Sequence, residues 1–233
     1  FAQYSPEDFV RVFLVEGLGV KCVVLGEDAL FGRGNSGDIG TMRELGRAFG
    51  FDVVTVDELG PEGTGTGRIS SSGIRSALLE GEVETANEAL GRLHTVTDVV
   101  HHGFRRGHEL GFPTANLGPS PAGLIPADGV YAGYLTVTEQ APSHLGVEPL
   151  AGAPATISIG TNPTFEADGA PRRTVEAYVH GDHDLDLYGD VVRLEFVAFQ
   201  RPTLKFDSVD SLIEQMDRDV EVTRRTLAAE RSR

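Results

Sequence analysis

The spacing of apolar residues changes near Leu93, and this change constrains the fold more than any other feature. Before it, stretches with helical spacing alternate with two continuous apolar runs, KCVVLG (21–26) and FDVVTV (51–56). Such runs between helices are typical of buried parallel strands. After it, apolar runs recur at short intervals between Gly- and Pro-containing turns, which favours a small antiparallel barrel or sandwich. We therefore predict an α/β unit over 1–92 and a β-barrel unit over 93–233.

The second unit is predicted to end in one long amphipathic helix. The predicted strands of the second unit are TVTDVV (95–100), VYAGYLTVT (130–138), PATISIG (154–160), TVEAYV (174–179) and VVRLEFVAF (191–199). Apolar residues then recur at steps of three and four, the spacing of a helix face that packs on a core. The members of this stripe are Val209, Leu212, Ile213, Met216, Val220, Thr223 and Leu227.

Capping residues predict where the helices of the first unit begin. Ser5-Pro6 combines an N-cap residue with proline at the first helical position. Gly37-Asp38 opens a second helix, and Ile69-Ser70-Ser71-Ser72 leads into a third. A short fourth helix covers about 82–90. The resulting helix–strand order predicts a parallel sheet with its site at the carboxyl ends of the strands.

Charge and composition exclude several classes of function. The formal net charge is −15, so the surface repels nucleic-acid phosphates and anionic lipids, and we expect neither as a partner. No run of about 18 apolar residues occurs, so we expect no transmembrane helix. The start FAQYSPEDF has no basic region before an apolar stretch, so it does not resemble a secretory signal. A single cysteine, Cys22, points to a reducing compartment. We expect a cytoplasmic protein.

A glycine-rich segment is the first candidate for chemistry. Gly103, Gly107 and Gly111 are spaced four apart, with Arg105 and Arg106 between the first two. Glycines let backbone N–H groups approach an anion closely, and the arginines add positive charge. The segment therefore suggests a phosphate site. The same glycines could instead serve only as turns.

Two polar side chains follow the glycines directly. Thr114 and Asn116 stand two apart in an extended segment after Pro113, so both project from one face. A hydroxyl and an amide carbonyl are hard oxygen ligands, which Mg²⁺ accepts alongside nucleotide phosphates. The alternative is an ordinary strand entry.

Glu176 is the candidate general base. In TVEAYV, the residues Val175, Ala177 and Val179 alternate with Glu176, so the carboxylate shares the opposite face with Thr174. It could be poised to take a proton from a hydroxyl nucleophile. It could also be a solvated side chain on an exposed strand face.

These motifs together resemble the riboflavin kinase domain. The resemblance covers nearly all of 93–233 and is carried by GFPTAN (111–116), GVY (129–131), IGTNPTF (159–165), the VEA strand at Glu176, LYG (187–189) and RPTLKFDSVDSLIEQMDRD (201–219). It implies a six-stranded Greek-key barrel and an ATP:riboflavin 5′-phosphotransferase. No GxxxxGK[ST] motif occurs, so ATP chemistry here would not be P-loop chemistry.

The same resemblance implies roles for particular residues. Glu176 would be the catalytic base, and Thr114 and Asn116 would hold Mg²⁺. ATP is implied as co-substrate, with FMN or FAD as product or ligand. The implied ATP and phosphate contacts are Gly103, Arg106, Gly107, Gly111, Pro113, Thr114 and Tyr188.

Residues 1–92 resemble the adenylyltransferase module that is fused to this kinase in prokaryotic bifunctional FAD synthetases, a nucleotidyltransferase-like parallel sheet. The resemblance rests on Gly26-Glu27-Asp28, on Phe31-Gly32 and on ISSSGIR (69–75). It implies nucleotide contacts at Asp28, Ser71, Ser72 and Arg75. The His-x-Gly-His signature of that superfamily is absent from this chain, so the module is predicted to be truncated.

Three functions stay open on the sequence. The first is a riboflavin kinase that makes FMN and stops. The second is the full bifunctional synthetase, a multifunctional transferase that continues to FAD. The third is a flavin-binding module without catalysis. The Thr114–Asn116 pair and Glu176 argue against it, because binding alone would not need a general base. The expected partners are the small molecules riboflavin and ATP; the oligomeric state is not assigned.

Overall fold

The computed structural model describes residues 3–56, 69–102, 111–162, 172–181 and 186–232. The chain divides into two compact units, Phe1–Ile69 and Ser70–Arg233. Among the helices of the described ranges, none is long and apolar enough to cross a bilayer.

The first unit is a two-stranded parallel sheet with helices. Its elements are α1, which is α-helical over Pro6–Phe9 and π-helical over Val10–Gly17, then β1 (Cys22–Gly26), a 3₁₀ turn (Arg33–Asn35), α2 (Ile39–Phe49) and β2 (Asp52–Val56). The strands pair in parallel from Cys22–Asp52 to Gly26–Val56. The predicted parallel arrangement is confirmed.

Side-chain caps explain where these helices begin. Ser5 Oγ accepts a hydrogen bond from the backbone N–H of Asp8, and Asp38 Oδ1 accepts one from Thr41. Each satisfies an N–H group that the first helical turn leaves without a partner. Val10, Met42 and Phe51 are buried at the centre of this unit.

The second unit is a closed six-stranded antiparallel barrel. Its helices are α3 (Ser71–Glu80), α4 (Val83–Leu90) and α5 (Val209–Glu230), and its strands are β3 (His94–His101), β4 (Thr114–Leu117), β5 (Gly129–Glu139), β6 (Ala153–Asn162), β7 (Arg172–Val179) and β8 (Val191–Arg201). The strands follow one another around the barrel as β3-β4-β7-β6-β5-β8. The predicted barrel with a C-terminal helix is confirmed.

Helices α3 and α4 pack with the barrel, so the compact units divide at 69/70, while the functional boundary near 92 stays a prediction. Ala77, Leu78, Val83 and Ala86 belong to the barrel's own buried core. The buried side chains of these helices share one core with the strands that follow them.

Asn87 joins α4 to two barrel strands. Its Nδ2 donates to the carbonyl oxygen of Phe196 at 2.8 Å, and its Oδ1 accepts from the backbone N–H of His94 at 2.6 Å. Because buried backbone groups need a hydrogen-bond partner, the amide satisfies one group on each strand.

We expect Asn87→Ala to lower the free energy of unfolding of the barrel unit by about 1–3 kcal/mol, the cost of leaving buried polar groups unsatisfied. Urea denaturation followed by circular dichroism measures it. Glu88→Ala, at the next position of α4, is the matched control and should change stability by less than about 0.5 kcal/mol. Equal effects of the two variants would contradict the role of Asn87.

Helix α5 packs against the outside of β5, β6 and β8. Ser208 caps its start by accepting from the N–H of Ser211. Thr223 and Leu227 are buried against the barrel, as the predicted stripe requires, but Val209 is 56% exposed. Val209 is the first residue of the helix, so the packed face begins only in the next turn.

Candidate active site

Glu176, Thr114 and Asn116 meet on the outer wall of the barrel. In the registers of β4, β6 and β7, Glu176 lies opposite Asn116 on one side and opposite Ser158 on the other. Val175, Ala177 and Val179 are buried in the barrel interior. Since side chains alternate along a strand, Glu176 points out of the barrel.

Hydrogen bonds hold the polar side chains of β4 in place. Asn116 Nδ2 donates to the carbonyl oxygen of Thr114 at 3.0 Å and to its Oγ1 at 3.2 Å. Thr114 Oγ1 lies 3.5 Å from Glu176 Oε2, at the outer limit of a hydrogen bond. The three side chains therefore form one small polar group.

A cavity of about 210 Å³ opens beside this group. Its floor is the outer face of β4, β6 and β7, and its roof is α5 with the segment that precedes it. The apolar side chains that line it are Phe112, Val130, Leu204, Phe206, Leu212, Met216 and Val220. Thr114, Thr156, Ser158 and Glu176 supply polar groups on the barrel side. The cavity thus combines a largely apolar lining with a few polar groups, as small-molecule pockets commonly do.

Burial raises the pKa of the Glu176 carboxyl above its usual value, and the hydrogen bond from Thr114 offsets part of this effect. Desolvation disfavours the charged carboxylate. A carboxylate with a raised pKa is a stronger base than an exposed one, as proton transfer from a hydroxyl requires. Glu176 is thus chemically distinct from a solvated surface glutamate.

A buried ion pair closes the helix side of the cavity. Arg201 Nε and Nη2 donate to the two carboxylate oxygens of Asp219, at 2.8 and 2.5 Å. Gln215 Nε2 also donates to Asp219, at 2.9 Å. Asp219 is 4% exposed. The pair links β8 to α5, and both of its residues line the cavity.

The remaining predicted kinase residues divide between the described and undescribed ranges. Pro113 is half-buried just before β4, and Gly111 is exposed with φ of 83°, a backbone conformation that favours glycine. Tyr188 stands apart from the cavity and stacks on His102, with ring centroids 3.8 Å apart. Gly103, Arg106 and Gly107 lie outside the described residues.

The predicted adenylyltransferase residues fall in both units. Asp28 lies in the turn after β1. Ser71, Ser72 and Arg75 are exposed at the start of α3. The N-cap of α3 is Ser70, whose Oγ accepts from the N–H of Gly73 at 3.0 Å.

Sequence reasoning assigned no role to most residues of the cavity wall, among them Thr156, Ser158 and Asp219. Thr156 and Ser158 precede Gly160 on the same face of β6 as the cavity, and their two-residue spacing could have indicated this. Asp219 ends the 201–219 segment that carries the resemblance, but no spacing rule indicated that it would be buried beside Arg201.

Comparisons with known proteins show which proteins this chain resembles. The family model described as riboflavin kinase matches residues 90–227, and the one described as FAD synthetase matches residues 1–73. The bifunctional riboflavin kinase/FMN adenylyltransferase of Listeria monocytogenes is 37% identical over 96% of this chain and 65% of its own length. The protein of the same name from Bacillus subtilis is 32% identical over 94% of this chain and 64% of its own length.

A solved structure has the same fold. A crystal structure described as a macrolide-efflux protein from Streptococcus pneumoniae aligns with a TM-score of 0.75 and 30% identity, over 96% of this chain and 66% of that one. The chain thus spans just under two thirds of the length of the relatives that it matches. With a barrel that carries GFPTAN beside Glu176 and a family match over more than half of its residues, the chain belongs to the riboflavin kinase family.

Proposed function

We propose that this chain transfers the γ-phosphate of ATP to the 5′-hydroxyl of riboflavin, which gives FMN and ADP. The barrel and its C-terminal helix, 93–233, would carry the activity. The observation that supports it most is Glu176, a half-buried carboxylate with a raised pKa beside Thr114 and Asn116 at the edge of an apolar cavity. The riboflavin kinase match over residues 90–227 agrees with it.

Riboflavin would occupy the cavity in one orientation. The isoalloxazine ring is flat and largely apolar, so it would lie against Phe206, Leu212 and Met216 on the helix side. The ribityl chain carries hydroxyls and would run along the barrel side, where Thr156 and Ser158 present theirs. In this orientation the terminal 5′-hydroxyl would lie beside Glu176.

Glu176 would act on the proton of that hydroxyl. The oxygen attacks phosphorus while its proton passes to the carboxylate, and the bond to the leaving ADP oxygen breaks. The proton returns to solvent when the products leave. The burial that raises the pKa of Glu176 also keeps water away from the hydroxyl.

Thr114 and Asn116 would hold Mg²⁺. Asn116 uses its Nδ2 to bond Thr114, and within the described part of the chain no group donates to its Oδ1, which suits a cation. With the Thr114 hydroxyl, that oxygen forms a hard donor set. The metal, when bound with ATP, supplies neutralisation of charge on the transferred phosphoryl group.

Product analysis tests the function directly. Purified chain incubated with riboflavin, ATP and Mg²⁺ should form FMN and ADP in equal amounts by chromatography. Calorimetric titration of riboflavin, with and without Mg²⁺–ATP, distinguishes a kinase from a flavin-binding module without catalysis. Binding of riboflavin without any FMN would show a flavin-binding module and contradict the proposal.

We expect Thr114→Val and Asn116→Leu each to raise the Mg²⁺ concentration for half-maximal activity by about tenfold or more, because each removes an oxygen ligand at similar volume. Riboflavin affinity should change less than that for Mg²⁺–ATP. Thr203→Val, on the helix side of the cavity, is the control. A loss of riboflavin affinity with unchanged Mg²⁺ dependence would assign the pair to the flavin instead.

A second activity, transfer of AMP to FMN, is favoured by the FAD synthetase match over residues 1–73. The module would cover 1–92, with Asp28, Ser71, Ser72 and Arg75 contacting nucleotide. Adenylyl transfer needs donors that stabilise developing charge, and one lost donor costs roughly 10²–10³ in rate.

We expect these 233 residues, which contain no His-x-Gly-His, to make FMN and no FAD. Incubation with FMN, ATP and Mg²⁺ followed by assays for FAD and pyrophosphate measures this. FAD formed as fast as FMN would contradict it and support the bifunctional alternative.

A further inference from the structure

The carboxylate of Asp190 is buried outside the cavity. Asp190 is the last residue of the turn 186–190, which contains Tyr188. The Asp190 side chain is 3% exposed. Its Oδ1 accepts from the backbone N–H of Ala141 at 2.7 Å and from His144 Nδ1 at 2.8 Å. Because a buried carboxylate is costly without donors, this contact requires a proton on His144 Nδ1.

The other nitrogen of His144 faces a second carboxylate. His144 Nε2 lies 3.7 Å from Asp186 Oδ1. Asp186 and Asp190 are the first and last residues of one turn, so the imidazole spans the turn from end to end. The two carboxylates, Asp190 first, raise the pKa of His144, which favours the form with protons on both nitrogens.

The turn that His144 spans is tied to strand β3. The N–H of Gly189 donates to the carbonyl oxygen of Val100 at 2.9 Å, and the N–H of Val100 donates to that of Asp190 at 2.8 Å. Within the turn, the N–H of Tyr188 donates to Asp186 Oδ1 at 3.1 Å. The Tyr188 ring stacks on His102, just beyond the end of β3.

We propose that His144 is a positioning residue for Mg²⁺–ATP: by contacting both ends of the 186–190 turn, it holds Tyr188 against His102, whose neighbour His101 lies opposite Asn116 of the proposed Mg²⁺ site. The inference rests on the proposed kinase function. His144 lies on the β5–β6 connection and does not line the cavity, so it acts through the turn and not on the reacting atoms.

The chemistry explains why histidine serves at this place. One imidazolium donates to Asp190 from one edge and places its positive charge 3.7 Å from Asp186 at the opposite edge, whereas a neutral amide could replace only the hydrogen bond to Asp190. Loss of the side chain would leave Asp190 buried with one backbone donor among the described residues. The turn would then populate other conformations, and only the competent fraction would bind ATP at full affinity.

The test compares His144→Ala and His144→Asn with the wild-type chain. For His144→Ala, the KM for Mg²⁺–ATP should rise about three- to tenfold, as expected if the competent turn falls to a tenth or a third of the molecules. The kcat and the KM for riboflavin should stay within about twofold of wild type. His144→Asn restores the donor to Asp190 and should recover part of the loss.

Amide hydrogen exchange measures how often the 186–190 turn opens, and this measurement does not depend on enzyme activity. In His144→Ala, the amides of Tyr188 and Gly189 should exchange at least about fivefold faster, while barrel amides such as Ile157 stay unchanged. Leu145→Ala is the matched control, since Leu145 is the next residue of the same connection and is 70% exposed. It should alter neither exchange nor KM.

Each outcome tests a separate step of the proposal for His144. Unchanged exchange at Tyr188 and Gly189 in a folded His144→Ala variant would overturn the contact of His144 with the turn. Faster exchange with an unchanged KM for Mg²⁺–ATP would overturn the link from Tyr188 to the nucleotide. A wild-type chain that forms no FMN would refute the proposed function and this link with it, and exchange would still decide whether His144 holds the turn.

Discussion

Replacing Glu176 by glutamine is expected to lower kcat by about 10²–10⁴-fold, the usual contribution of a positioned general base. The glutamine amide keeps the shape of the side chain and can still accept from Thr114, so the fold and the binding of both substrates should survive. Steady-state kinetics and riboflavin titration measure the two effects. The control is Glu139→Gln, at the exposed end of β5, which should retain full activity.

The pH dependence of kcat tests the same assignment independently. The pKa of Glu176 is raised by burial, and a base must be deprotonated to act. Activity should therefore fall as the pH drops through a pKa above the usual range of glutamate, and this acidic limb should be missing in Glu176→Gln. A variant that keeps more than about half of kcat, or keeps the limb, would contradict the role of Glu176.

Breaking the Arg201–Asp219 pair is expected to have the largest effect on stability. Asp219→Asn leaves the Arg201 guanidinium, whose side chain is 18% exposed, without its charge partner. Breaking a buried pair on one side costs about 3–5 kcal/mol. Urea denaturation of the barrel unit measures the loss, and the KM for riboflavin should rise because α5 forms the roof of the cavity.

Two comparisons sharpen this prediction. Glu214→Gln breaks an exposed pair with Arg218 on the same helix, whose side chains are 69% and 67% exposed, and should cost less than about 0.5 kcal/mol. The double variant Arg201→Met/Asp219→Leu removes both charges and should be far less destabilised than Asp219→Asn. Equal losses for Asp219→Asn and Glu214→Gln would show that burial does not govern the pair.

Local spacing in the sequence was enough to predict which way single side chains point. Val175, Ala177 and Val179 alternate with Glu176, and the structure places the first three in the barrel and the carboxylate outside. Ser5 and Asp38 cap the helices that they were predicted to open, and Ser70 caps the helix that the run 69–72 was predicted to lead into. These features depend on neighbours a few residues away, so the period and the residue type determine them.

Contacts between distant segments were decided only by the tertiary structure. The packing of α3 and α4 on the barrel, the burial of Asp219 and the meeting of His144 with Asp190 leave no periodic signal. Glu176 likewise meets Asn116 and Ser158 through the registers of three strands. Strand register and helix docking follow from how the whole core packs, because a shift by one residue would exchange buried and exposed faces along the entire strand. The sequence alone thus determined the residue types and faces of the site, and only the packed barrel determined which of them stand together.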